Sequence, residues 1–322
     1  MACFSKIRIA AGIGVLALLW AAAAGPVQAA DPDFAANRPA SINLVISRNI
    51  RPYMDAAESM RAALGSRFEA DIYVDKLYRH TGSARKGLAE KLAGRGPQAL
   101  FIAVGPEAAA FLWREVAGKA GVRLYSIVLN PESLSPEIPP ACGISLNIPP
   151  AVQLGYICQS FGKARRIGLF YDPQNNRELF ERAAAAAGRR QDVALVPLRV
   201  SSKKDIPRLL SAQVPTLDAV WLVPDRTVIS ESIAQYIIKQ SILQGVPVVG
   251  YNQFFYESGA AAAFVFDYAV LGRQTAKMAV EVMREGRCRP RVPEFEVWIN
   301  EGVYEKLGIA LPELNKPLVG GP

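Results

Sequence analysis

From Ser41 onward, short apolar runs rich in β-branched residues alternate with helical segments, and the series runs through once and then starts again. No other feature constrains the fold as strongly. Strand–helix–strand spacing leaves parallel strands joined by right-handed crossovers as the main solution. Residues 42–46 open the series as a strand. A helix over 53–64 follows, with Met54, Ala57, Met60, Ala63 and Leu64 on one face. Further strands are expected over 68–74, 99–104 and 122–129, with helices at 83–93 and after Gly105-Pro106. Pro suits a first helical turn because its missing N–H is unpaired there in any case. Beyond Pro136, Pro139 and Pro140 the pattern restarts. Helices are expected over 149–160, 178–189, 203–211 and 230–244, with strands over 166–171, 193–200, 219–223 and 246–250. The expected fold class is therefore α/β, with two doubly wound parallel-sheet lobes. An extended segment at 261–267, an amphipathic helix at 269–284, a strand at 294–300 and a short helix before Gly308 remain. They are more than the second unit needs, so the chain is expected to cross back between lobes.

The N-terminus reads as an export signal. Lys6 and Arg8 precede the uncharged apolar run 9–24, Gly25-Pro26 breaks it, and Val27-Gln28-Ala29 places small residues at −3 and −1. That is the layout of a cleaved signal peptide over residues 1–29. The apolar run is shorter than the ~20 residues of a membrane-spanning helix. Cys3 lies before the run, which argues against a lipoprotein. A periplasmic location is expected.

Composition narrows function by exclusion. The formal net charge of +8 comes from scattered basic residues, with no basic run interleaved with aromatics, so nucleic acid is not an expected partner. His80 is the only histidine and no C-x-x-C occurs. A histidine-rich zinc site is thereby excluded, as is a Ser-His-Asp triad or a Cys-His pair anywhere but at His80, and neither metal, cofactor nor catalytic residue is expected. A hydrolase would have to use paired carboxylates such as Asp172 and Asp225, whose spacing nothing in the sequence sets. Three cysteines outlast processing: Cys142, Cys158 and Cys288. An oxidising compartment permits one disulfide. Cys142 and Cys158 are closest in sequence, but all three equally fit the pattern of small buried residues.

Open parallel sheets bind ligands beyond the carboxyl ends of their strands, where loops and helix N-termini converge. The polar and aromatic residues at those ends are Ser47, Arg48, Asn49, Tyr53, Gly105, Glu107 and Asn130 in the first lobe. In the second they are Tyr171, Asp172, Asp225, Tyr251 and Asn252. Together they suit a ligand with a charged or amide head group and a flat or apolar body, held in a cleft.

Several segments resemble a known family at this point. Val246-Pro247-Val248-Val249-Gly250-Tyr251, Glu257-Ser258-Gly259-Ala260, Asp267-Tyr268 and Gly272-Arg273-Gln274-Thr275-Ala276 are similar to a segment of the ABC transporter substrate-binding proteins with the type I periplasmic binding protein fold. The resemblance is to the branch that includes tryptophan and tyrosine binders. Residues 128–132, 143–146, 167–173 and 221–227, and Asn300 with Leu307-Gly308-Ile309, fit as well. The resemblance implies lobe 1 over 41–145 plus 268–288, lobe 2 over 146–267 plus 289–312, and three crossings between them. It also implies that Ser47, Asn130, Asp172, Asp225 and Tyr251 line the cleft. The expected function is capture of an amino-acid-like or other small carboxylate or amide ligand by a monomer, for delivery to an inner-membrane ABC permease. The alternative is a ligand sensor or accessory protein for a membrane kinase or an outer-membrane uptake system. The sequence departs from the family at Arg48 and Arg51, at Pro106-Glu107 and at Asn252-Gln253, all on the head-group side of the expected pocket.

Overall fold

A computed structural model describes residues 6–10, 39–116, 121–139, 141–190, 192–228 and 230–312. The expected cleavage site at residues 27–29 lies outside the described residues. The chain forms two compact units and passes between them after Asn147, after Phe266 and after Glu294.

The first described strand, β1 (Lys6–Ala10), falls within the segment read as an export signal. The first unit then builds a five-stranded parallel sheet. Its strands are β2 (Ser41–Ile46), β3 (Asp71–Lys76), β4 (Ala99–Val104), β5 (Val122–Val128) and β6 (Gly143–Ser145), in the order β3-β2-β4-β5-β6. Every residue of β2 and β4 is buried, which is why these central strands are continuous rather than alternating in hydrophobicity. The edge strand β3 starts three residues later than its apolar run suggests. Phe68 is buried in the turn before it, and the strand proper is half-exposed. The three residues of β6 were too few to leave a readable period. The helices of this stretch are α1 (Arg51–Gly65), α2 (Gly82–Ala93), α3 (Pro106–Arg114) and the single turn α4 (Pro131–Leu134).

The second unit contains α5 (Pro150–Ser160), β7 (Arg166–Tyr171), α6 (Pro173–Gly188), β8 (Ala194–Arg199), α7 (Ile206–Ala212) and β9 (Ala219–Leu222). It continues through α8 (Glu231–Leu243), β10 (Val248–Gly250), α9 (Gln253–Glu257) and β11 (Ala262–Val265). Helix α10 (Tyr268–Glu285) belongs to the first unit, whereas β12 (Glu296–Asn300) and α11 (Glu301–Leu307) complete the second. The sheet order is β1-β12-β11-β10-β9-β7-β8. Strands β7 to β11 are parallel; β12 runs antiparallel to β11, and β1 antiparallel to β12.

Helix α10 shows how the Gly-Arg-Gln-Thr segment serves the fold. Asp267 caps it by accepting from the Ala269 and Val270 N–H groups, and Gly286 ends it in a left-handed conformation. Gly272 sits where α10 presses on α1. A Cβ there would lie 2.3 Å from the Ala56 carbonyl oxygen and 2.2 Å from Ser59 Oγ. Ser59 Oγ donates across the contact to the Ala269 carbonyl at 2.8 Å. Gln274 binds the connecting segment, donating to Val292 O at 2.8 Å and accepting from Glu294 N at 3.0 Å. The hydroxyls of Thr275 and Ser126 meet at 2.8 Å in the core. Gly272→Ala should therefore force the two backbones apart and cost about 1–3 kcal/mol, read by urea denaturation. A loss within error of zero would mean the helices separate freely.

The disulfide joins Cys142 to Cys288, with Cα atoms 5.0 Å apart, and Cys158 is free. Proximity in sequence thus points to the wrong partner. Cys142 and Cys288 both belong to the first unit, while Cys158 sits on α5 in the second.

Candidate strand-end binding site

The residues singled out in the sequence lie at or just beyond the carboxyl ends of the parallel strands in each unit. In the first unit, β2 is followed by Ser47, which is buried and accepts from the Ala108 N–H at 2.8 Å. That bond caps the start of α3. Gly105 takes φ +89, and its N–H donates to Ser126 O at 2.9 Å. A Cβ on Gly105 would fall 2.7 Å from the Tyr53 ring and 2.8 Å from Ser47 Oγ, so only glycine lets the ring lie on this turn. Arg48 pairs with Glu107, and Asn49 is exposed beside it. Burial, and secondly the Glu107 carboxylate, raises the Tyr53 pKa; burial raises that of Tyr268, a residue outside the expected set. Asn130 is half-buried in a left-handed conformation at φ +47 and receives its place from Asn147, whose Oδ1 accepts the Asn130 N–H at 3.2 Å.

In the second unit two buried carboxylates are bound to one another's loops. Asp225 is 1% exposed. Its Oδ2 accepts from Asp172 N at 2.8 Å and Asn176 Nδ2 at 2.7 Å, and its Oδ1 accepts from Thr227 N at 2.9 Å. Asp172 caps α6 through Gln174 N at 2.9 Å and also accepts from Asn175 Nδ2 and the Thr227 hydroxyl. Each carboxylate thus receives three donors from the protein itself. Such bonds fix the shape of the two loops. Asn176 and Thr227 were not foreseen, although Asp225-x-Thr227 has the spacing of an Asx turn. Asn176 leaves helical geometry at φ −132 because its amide reaches Asp225 and the Pro224 carbonyl. This break hides the first turn of α6, which begins at Pro173 rather than near Glu178.

The other three residues take different roles. Tyr171 turns into the core with Ile167 and Leu169, stacks on Phe180 at 4.4 Å and is 3% exposed, so its ring does not face the loops. Asn252 caps α9, accepting from Phe255 N at 3.3 Å. Tyr251 is half-buried and tilted on Phe255 at 4.4 Å; burial and the nearby Asp225 carboxylate raise its pKa. A separate groove lined by Ile238, Lys239, Ile242, Leu243 and Lys306 opens at the C-terminal end of α8, the opposite end of this sheet. Among the described residues, no group of three or more His, Cys, Asp or Glu side chains is arranged to hold a metal ion.

Comparison with known proteins adds an independent line. The model of the family described as "ABC transporter substrate binding protein" matches residues 141–315. A tyrosine-binding protein of Clostridioides difficile is 23% identical over 151 residues, which is 45% of this chain and 43% of that protein. The chain therefore matches under half the length of this curated relative. Among solved structures, an ABC domain in complex with L-Trp from Streptococcus pneumonia aligns with a TM-score of 0.56 at 18% identity, covering 85% of this chain and 96% of that one. A ligand-free, open substrate binding protein with adhesive properties from Clostridium difficile aligns with a TM-score of 0.66 at 17% identity, covering 85% and 97%. These likenesses show the fold: each unit is a lobe of the type I periplasmic binding protein kind.

Proposed function

The chain belongs to the ABC transporter substrate binding protein family, a family of binding proteins rather than enzymes, and from that premise we propose that it captures a small organic solute in the periplasm. The observation that carries the reading is the gathering of rigidly held polar and aromatic side chains at the carboxyl ends of the strands in each unit. In the proposed assignment Ser47, Gly105, Asn130, Asp172, Asp225 and Asn252 set the shape of the loops, and Arg48, Asn49, Tyr53, Glu107 and Tyr251 face the ligand. Tyr171 supports from below. The ligand is an amino-acid-like molecule or another small carboxylate or amide, in keeping with the Trp- and Tyr-binding relatives. The signal sequence is removed after Ala29, the mature protein acts as a monomer, and an inner-membrane ABC permease receives the solute. Solute capture of this kind needs preformed loops, because every polar group of the ligand loses water on binding and must find a partner.

The test is a thermal-shift screen of the exported, processed protein against amino acids, carboxylates, amides and nucleosides. A true ligand at 100-fold its Kd adds about 2.7 kcal/mol to stability. No shift with any of these classes would overturn the reading.

A further inference from the structure

We infer that the first unit's strand ends recognise the protonated amine or amidine end of the ligand through Glu107, and that a carboxylate alone is not bound there. The inference rests on the solute-binding reading above and narrows its ligand class. It starts from the donors at the beginning of α3. A helix N-terminus attracts anions when its first N–H groups point outward free. Here Pro106 has no N–H, the Ala108 N–H is taken by Ser47 Oγ, and the Gly105 N–H is taken by Ser126 O. Ala109 already bonds back to the Gly105 carbonyl. The partial positive charge that remains is met by the protein's own carboxylate, Glu107, in the first turn of the helix. An incoming anion would therefore find few free donors and a like charge.

Glu107 itself is incompletely satisfied. Its Oε1 pairs with Arg48; the Arg48 side chain is 66% exposed and that of Glu107 34%. Its Oε2 is buried and has no hydrogen-bond partner among the described residues. A buried carboxylate oxygen without a donor is costly, and a cationic N–H from a ligand supplies what is missing. The exposed Arg48 contact is weakened by solvent and by the freedom of a long side chain, so a desolvated ligand cation competes with it. Tyr53, lying against the Gly105 turn, stands near the same carboxylate, with Tyr268 close to Tyr53, and an aromatic face beside a carboxylate favours a cation with an apolar body. Pro106-Glu107, where the sequence departs from the family pattern, thus makes this turn a cation-accepting one.

Two matched probe pairs test this by isothermal titration of the full mature protein. Tyramine is set against 3-(4-hydroxyphenyl)propionate, and pentylamine against hexanoate. In at least one pair the amine should bind about tenfold or more tighter than the acid, and Glu107→Gln should erase about that factor. Arg48→Gln, on the exposed loop, should raise amine affinity by freeing the carboxylate, which keeps the test alive if Glu107→Gln folds poorly. Acids binding as tightly as amines, or a preference unmoved by both variants, would overturn the inference while the solute-binding reading stands. Binding of neither member of either pair, in a protein that the thermal screen shows to bind other solutes, would overturn it too. A protein that binds no solute of any class loses both.

Discussion

Replacing Asp225 with Ala is expected to lower folding stability by about 3–5 kcal/mol and to abolish solute binding. The size follows from what the carboxylate holds. Asp225 is all but fully buried and accepts from Asp172 N, Asn176 Nδ2 and Thr227 N, so truncation takes the acceptor from three N–H groups, two in buried bonds and the third, Thr227 N, in a part-buried one. Each unsatisfied buried donor costs roughly 1–3 kcal/mol, and the three are not additive because they share one network. The loss reaches further than the side chain. Thr227 in turn donates to Asp172, and Asn176 owes its non-helical conformation to this bond, so the loops after β7 and β9 lose their shape together. Asp225→Asn retains one acceptor oxygen and should fall between wild type and Ala. Urea unfolding of the three proteins gives the comparison, and a loss below about 1 kcal/mol for Ala would show that water replaces the carboxylate at little cost.

Breaking the disulfide is the second large effect. Changing Cys142 and Cys288 together to Ser should cost about 2–5 kcal/mol in oxidising buffer. The two cysteines are 146 residues apart in sequence, and the crosslink ties the segment before β6 to the segment after α10 within one unit. Most of the stabilisation arises from restricting the unfolded chain. Cys158→Ser, on α5 in the other unit, should change stability by less than about 1 kcal/mol. Thiol titration of the denatured, unreduced mature protein should find one free thiol. Three would show that the bond does not form.

Most of the architecture was legible in the sequence because parallel strands in a two-sided sheet are continuous apolar runs. β2, β4 and β7 lie where their runs of Ile, Leu, Val and Phe lie. What escaped was short or locally disguised. β6 has three residues and α9 five, below the length at which a period can be read. The first turn of α6 was hidden because Asn176 answers to Asp225 rather than to its own helix. The disulfide depended on distance in space, on which spacing along the chain is silent.

The strand-end location of the candidate residues was legible for the same topological reason, but their individual roles were not. Tyr171 shares alternation with Ile167 and Leu169, so the face it packs on was implicit in the period of two; its place at the strand end masked that. Asp172 and Asp225 read equally well as ligand contacts or as turn chemistry, and only the positions of Asn175, Asn176 and Thr227 show how many donors they already receive. Glu107 lay in a turn that departs from the family pattern, and what that departure means for a ligand emerges only when the donors around it are counted.

Hydrogen exchange of the mature protein, with and without the solute that stabilises it most, tests the central claim most directly. The account predicts slowed amide exchange at residues 47–54, 105–109, 172–176, 225–228 and 251–255 in the bound state. Protection confined to the groove around Ile238, Ile242, Leu243 and Lys306, or spread without preference for the strand ends, would contradict it.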